Sequence, residues 1–315
     1  MMQDYILRDE TYASVMAETV EPYLAQRRKE FRIPRGAGNE LYCVHYDAGD
    51  ARGVVVISHG FTETAEKYLE NIYYFVNQGY HVYHPEHCGH GRSYRLVDDP
   101  SLVHVDRYAR YVEDLLAVAD VAKREHPQLP LFLYAHSMGG GIGAAALAAQ
   151  PELFQRAILS SPMIRPLTAG VPWPLAKLTA AMLCIAGKDK AYVPGSHAFD
   201  GNERFEDSAS INRERYEYYQ RKRNAEPLYQ MNAASCGWLN EAAKLNRHLM
   251  HKGFKRIQTP TLLFQAQDDA FVSAQEQERF VEKVNRAGRT QMKAVSVPGT
   301  RHAGPRLGGT EADYP

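Results

Sequence analysis

The sequence predicts an α/β fold, a mostly parallel, doubly wound sheet carrying a helical cap insertion, and three observations lead there. Short β-branched or alternating runs take turns with helix-spaced apolar residues from Leu41 to Ser160, the rhythm of parallel strands joined by right-handed crossovers. That rhythm stops at Pro162 and resumes at Thr261. Within its first part, the apolar run Leu131–Ala135 passes through Ser137 into a glycine-rich, small-residue stretch, which reads as strand, sharp turn and helix.

In chain order, residues 1–40 are polar and mixed and read as a helix-bearing lead-in. Leu41–Tyr46 and Gly53–Ser58 are strand-like, and the Asp-Ala-Gly-Asp between them reads as hairpin punctuation. Val54-Val-Val-Ile57 has the continuous β-branching of a strand buried on both faces. Ala65, Tyr68, Leu69, Ile72 and Val76 then recur at helical spacing up to a stop at Gly79, and Tyr80–His84 is the next strand. Tyr108, Val112, Leu115, Ala119 and Ala122 mark one face of an amphipathic helix. The strand ending at Ala135, a helix from Met138 and a strand at Ala157–Ser160 complete a first core unit, residues 1–161. Residues 162–258 hold several prolines, an apolar stretch at Trp173–Ile185, a charged helix around Asn212–Arg223 and no clear strand, so they read as a helical cap. Residues 259–315 return to the core. Here Thr261–Ala266 is a strand, Ser273-Ala-Gln-Glu276 is a capping box opening a helix that runs through Ala287 to Gly288, and Met292–Val297 is the last strand.

With 315 residues and a formal net charge of zero, the composition makes no electrostatic case for nucleic acid or an anionic membrane as partner. No basic-then-apolar leader opens the sequence, and no run reaches the roughly 18 apolar residues of a spanning helix. A cytoplasmic protein without stable membrane insertion is therefore expected. Cys43, Cys88, Cys184 and Cys236 are scattered without a CxxC pair, which favours free thiols.

The chemistry centres on Ala135-His-Ser-Met-Gly139, which approximates the Gly-x-Ser-x-Gly turn that exposes a serine above a sheet. A serine hydroxyl needs an adjacent base, and the base needs a carboxylate to fix its tautomer. Both are available in loops that follow strands, the acid as Asp268 or Asp269 and the base as His302. The order Ser137, Asp, His302 is that of α/β-hydrolases. For the oxyanion, the amide of Met138 stands at a helix N-terminus, and the amide of Phe61, behind Ser58-His59-Gly60, is the candidate second donor. His84-Pro-Glu-His-Cys-Gly-His-Gly-Arg-Ser93 crowds three histidines and Cys88 together. It lacks the second spaced ligand pair of a zinc site and reads as a turn-rich loop, so neither metal nor organic cofactor is expected.

On these residues the chain resembles the lysophospholipase/monoacylglycerol lipase branch of the α/β-hydrolase superfamily, which includes serine aminopeptidase S33-type sequences. The resemblance spans roughly residues 40–302. His59-Gly60 is similar to the family's oxyanion strand end, and Glu86-His-Cys-Gly-His-Gly-Arg-Ser93 to its Asp-x-Arg-Gly-His-Gly-x-Ser loop, with Glu86 and Cys88 as departures. The family pattern Gly-x-x-Asp-x-x-Val falls on Ala266, Asp269 and Val272, and so selects Asp269. The resemblance implies an α/β-hydrolase fold and a serine hydrolase that cleaves a carboxylic ester of an amphiphilic lipid, with catalytic Ser137, Asp269 and His302. It further implies a helical cap over the site, whose Trp173, Leu178 and Met182, with Leu175 and Leu183, either line an acyl pocket or only bury the cap against the core; transient contact with a membrane surface stays open. A short-chain carboxylesterase, an aminopeptidase-like amidase using Glu203, Glu206 or Asp207, and an inactive binding protein on the same fold stay open as alternatives, as does the oligomeric state. Where the family continues into a final helix, Ala303–Pro315 has no helical period, and a truncated or atypical C-terminus is expected.

Overall fold

A computed structural model describes residues 6–303; the tail beyond, with the expectation attached to it, lies outside the described residues. A short helical segment opens the chain, α1 (Tyr12–Val15) and α2 (Glu21–Ala25) being joined by a π turn at Met16–Val20. The core follows with β1 (Arg28–Pro34), β2 (Glu40–Tyr46), β3 (Gly53–Ser58), α3 (Leu69–Asn77), β4 (Tyr80–Pro85), β5 (Leu102–Val103), α4 (Tyr108–Glu125), β6 (Leu131–His136), α5 (Met138–Ala149) and β7 (Arg156–Ser160). Then come α6 (Trp173–Ile185), α7 (Arg213–Ala225), β8 (Ala233–Ala234) and α8 (Cys236–His251), and finally β9 (Thr261–Asp268), α9 (Ala274–Ala287) and β10 (Met292–Arg301).

The main sheet has the order β1-β2-β4-β3-β6-β7-β9-β10. The first two strands pair antiparallel, β2 meets β4 antiparallel, and every pair from β4 onward is parallel. Strand periodicity explains how one sheet feeds two cores. Along β3, Val54 and Val56 point into one apolar cluster with α4, α5, α8 and α9, while Val55 and Ile57 point into another with α1, α2 and α3. Each such fully buried aliphatic side chain is worth about 1.5–3 kcal/mol. The pairing corrects the hairpin expected between Leu41–Tyr46 and Gly53–Ser58: β4 inserts between them, so the Asp-Ala-Gly-Asp loop is a crossover instead. The lead-in holds a strand as well as helix. β1 escapes a sequence reading because it is charge-rich and lies at the sheet edge, where only alternate residues are half-buried.

The segment between β7 and β9 is mostly helical but not strand-free, since β8 pairs with β5 in a two-stranded ribbon. The helix expected near Asn212 begins where its cap predicts, with Asn212 accepting the amide of Arg215 at 2.8 Å. Tyr218 is buried against Tyr12 and donates to Glu21, while Arg215 bridges Glu70 and Asp9. Four charged and aromatic contacts thus tie α7 to the N-terminal segment and α3. Among the described residues no helix is long and apolar enough to cross a membrane.

Candidate active site

The site grows from the turn between β6 and α5. Ser137 adopts φ 53° and ψ −120°, a left-handed conformation that costs a non-glycine residue on the order of 1–3 kcal/mol. Its backbone is pinned on both sides, the amide donating to Ser160 at 3.0 Å and the carbonyl accepting from Met163 at 2.7 Å. Gly139 is required two residues later, because a Cβ there would collide with the carbonyls of Ser58 and His59. That close approach lets the end of β3 lie beside the elbow.

Two parallel neighbours deliver the partners. β9 ends at Asp268, and Asp269 follows in the turn. There its Oδ1 accepts the amides of Phe271 and Val272 at 2.9 and 3.0 Å. β10 ends at Arg301 after a register shift against β9, and His302 follows. His302 Nδ1 lies 2.8 Å from Asp269 Oδ2, and its Nε2 lies 2.6 Å from Ser137 Oγ. Because a carboxylate only accepts, Nδ1 carries the proton and Nε2 is left to receive one from the serine. Burial opposes ionisation of Asp269, but the hydrogen bond and charge of His302 and the two amides outweigh it and hold the carboxyl below its usual range. Asp268 is exposed. The arrangement can therefore pass a proton from a serine hydroxyl to an oriented imidazole.

His59-Gly60 closes the other side of the elbow. A Cβ added to Gly60 would lie 3.1 Å from Cβ of Ser137, so the chain at Gly60 runs close beside the serine side chain. The ring of Phe61 packs on Trp238 of α8 with centroids 4.6 Å apart. Met138 is buried at the first turn of α5. Beneath this turn sits the histidine-rich loop: His87 donates its amide to His59 Nε2 at 2.8 Å and shares a 2.9 Å hydrogen bond with Ser58 Oγ. Burial pushes His59 down to about 4 and keeps it neutral. Glu86, one of the departures, is fully buried and accepts the amides of Arg92 at 2.6 Å and Ala65 at 3.1 Å. Burial outweighs those bonds and raises it to about 7.

Sequence reasoning missed Glu63 and His136. Glu63 Oε2 accepts the Gly60 amide at 2.6 Å and the Tyr68 hydroxyl at 2.5 Å, and Lys67 pairs with its other oxygen at 2.6 Å. His136 Nε2 lies 3.7 Å from Glu63, and its ring stands 5.1 Å from that of His302. The signals were present as a carboxylate three residues past Gly60 and an imidazole next to Ser137, but local patterning gives neither a purpose.

The cap residues expected to line a pocket are not gathered at the serine. Leu178 and Met182 are 56% and 58% exposed, as is Leu175 at 54%, and Trp173 is half-buried at the start of α6. The helix fully buries only its small residues, Ala176 and Ala180, which leaves Leu175, Leu178 and Met182 outward. Next to Met138 a void of about 10 Å³ lies among Tyr111, Ile142, Met163, Trp238 and Glu241, too small to hold an acyl chain. The acidic residues suggested for an amidase are spent on ion pairs, Glu203 with Arg223, Glu206 with Arg213 and Asp207 with Arg204.

Comparison with known proteins agrees with this architecture. Residues 49–304 match the serine aminopeptidase S33 family. Lysophospholipase L2 of Escherichia coli is 30% identical over 237 residues, 75% of this chain and 69% of that protein. A monoacylglycerol lipase of Mycolicibacterium smegmatis is 37% identical over 124 residues, 39% of this chain and 42% of that protein, so the alignment spans less than half of the lipase. Among solved structures, a thermostable carboxyl esterase from Bacillus coagulans superposes with a TM-score of 0.69 at 17% identity, covering 88% of this chain and 91% of that one. A monoglyceride lipase from Saccharomyces cerevisiae gives 0.65 at 18% identity over 88% of each chain. At such identities these structures speak for the fold, while the family match covers most of the sequence. The chain belongs to the serine aminopeptidase S33 family and has its α/β-hydrolase fold.

Proposed function

We propose that this protein is a serine hydrolase that cleaves the carboxylic ester of an amphiphilic lipid, as a lysophospholipase or monoacylglycerol lipase does. The observation that carries the reading is the continuous hydrogen-bonded line from Ser137 Oγ through His302 to Asp269. His302 takes the hydroxyl proton as Ser137 attacks the acyl carbonyl. The amides of Met138 and Phe61 receive the oxyanion, each such donor being worth about 3–4 kcal/mol. His302 then protonates the leaving alcohol and activates the water that frees the acyl group. The names of the relatives favour a lipid ester as substrate.

Two measurements test this. A fluorophosphonate probe should label the wild type at Ser137 and leave Ser137→Ala unlabelled; an unlabelled wild type would sink the acyl-enzyme. A panel of monoacylglycerols, lysophospholipids, short-chain esters and aminoacyl amides should rank a long-chain ester first by kcat/KM, and preference for an amide or for acetate would reassign the substrate.

A further inference from the structure

A second cluster of chemistry lies away from the serine. His45 of β2, His81 of β4 and His126, the residue that closes α4, place one ring nitrogen each so that all three lie within 4.8 Å of one another. The rings of His81 and His126 stack at 4.2 Å, and His45 stands 5.6 and 5.8 Å from them. The antiparallel register that sets His45 opposite Tyr83 and Tyr46 opposite Val82 makes the meeting possible. It occurs at the amino ends of the parallel strands, whereas Ser137 stands at their carboxyl ends.

We propose that His45, His81 and His126 form a structural binding site for one divalent transition ion of the zinc class. Nε2 of His45 is buried without a hydrogen-bond partner among the described residues, a rare condition for a buried polar nitrogen and one that a metal bond would relieve. Carboxylates stand behind the rings. His81 Nδ1 accepts the amide of Ala48 at 3.2 Å with Asp47 at the same distance, and Glu125 reaches His126 through the Tyr83 hydroxyl, at 2.5 Å and 3.0 Å. Such partners orient ligating histidines and balance the ion's charge. Residue 126 also caps the carbonyl end of α4, where a cation is favoured.

Three imidazoles without thiolate select zinc, nickel or copper over magnesium and calcium, which prefer all-oxygen shells. Tetrahedral bonds of roughly 2.0–2.1 Å place ligand nitrogens about 3.4 Å apart; the rings need only close by a little over an ångström. Around His59 both ring nitrogens of that residue are hydrogen-bonded, and although His84, His87 and His90 keep buried nitrogens without a partner, among the described residues it is His45, His81 and His126 whose nitrogens converge. An ion held by His45, His81 and His126 would clamp the end of α4 onto β2 and β4. It would stabilise the fold without entering the chemistry at Ser137.

Zinc competition against a chromophoric chelator, run on the full chain together with thermal unfolding, tests the assignment. The wild type should withdraw one equivalent of Zn²⁺ and melt at a higher temperature with it, and Mg²⁺ should do neither. His81→Asn and His126→Asn should each bind Zn²⁺ at least about tenfold more weakly and lose the thermal shift, while His251→Asn, on an exposed position of α8, should keep both. His126→Asn is the mild variant, since Asn is tolerated at a helix end, and its folding is checked by far-ultraviolet circular dichroism. A wild type that withdraws no zinc, a folded His126→Asn protein with wild-type zinc affinity, or loss of binding in His251→Asn would each overturn the proposal.

Discussion

At the scale of single residues, the choice between Asp268 and Asp269 is the sharpest consequence of the geometry. Asp269 faces His302 at 2.8 Å while Asp268 is exposed. Asp269→Asn should lower kcat by about 10⁴-fold, because an amide in that place favours the wrong imidazole tautomer. Asp268→Asn should leave kcat near wild type, and steady-state kinetics on a p-nitrophenyl ester separates the two. The depressed carboxyl also has a stability signature. A folded-state value below the unfolded one contributes stability that is present above the unfolded value and is lost as pH falls through the folded one. The melting-temperature gap between wild type and Asp269→Asn should accordingly be full at pH 7 and shrink below about pH 4. Residue identity made Ser137 and His302 legible in the sequence, since each follows a strand in a recognisable turn. It could not reveal Glu63, whose hold on the Gly60 amide exists only once the chain has folded.

At the scale of elements, helix starts were the most legible features and strand neighbours the least. Ser273 accepts the amide of Glu276 at 3.3 Å and Gly288 closes α9 at φ 70°, both as their local patterns predict. Whether β3 pairs with β2 or β4 depends on a crossover that no local pattern encodes, and the short β5 and β8 carry too few residues to announce themselves. Ser273 has a second duty, accepting from Arg165 at 2.8 Å across the chain. Ser273→Ala should therefore cost about 1–2 kcal/mol in urea unfolding, at the upper end for a lost helix cap. Gly139→Ala should act differently. Pushing the end of β3 away from the elbow displaces the Phe61 amide, and a misplacement of about 1 Å can cost 10²-fold in rate. Its kcat should fall by roughly that factor while circular dichroism stays native.

At the scale of the molecule, the apolar side chains that α6 turns outward stand apart from the core. Leu175, Leu178, Met182 and Ile185 are all more than half exposed. The family resemblance offered Leu175, Leu178 and Met182 as pocket lining, and hydrophobicity alone does not tell an inward face from an outward one. Under the proposed lipid-ester function, Met182→Asp should slow hydrolysis of a monoacylglycerol presented in micelles and leave that of soluble p-nitrophenyl acetate unchanged, as read in parallel assays. The division of the chain into a core and a cap between residues 162 and 258 has its own test, limited proteolysis, in which cuts should gather in that segment while both flanking parts stay together.

The hydrogen bond between Ser137 and His302 joins residues 165 positions apart, and it depends on β10, an edge strand that among the described residues pairs with β9 alone. Seen in time, that is a statement about assembly order. Contacts of such sequence separation pay their loop-closure entropy before they return anything, and they form late. Ester hydrolysis is then a clock for the final step of folding: on dilution from denaturant, helical signal should return first and activity only with the slowest phase.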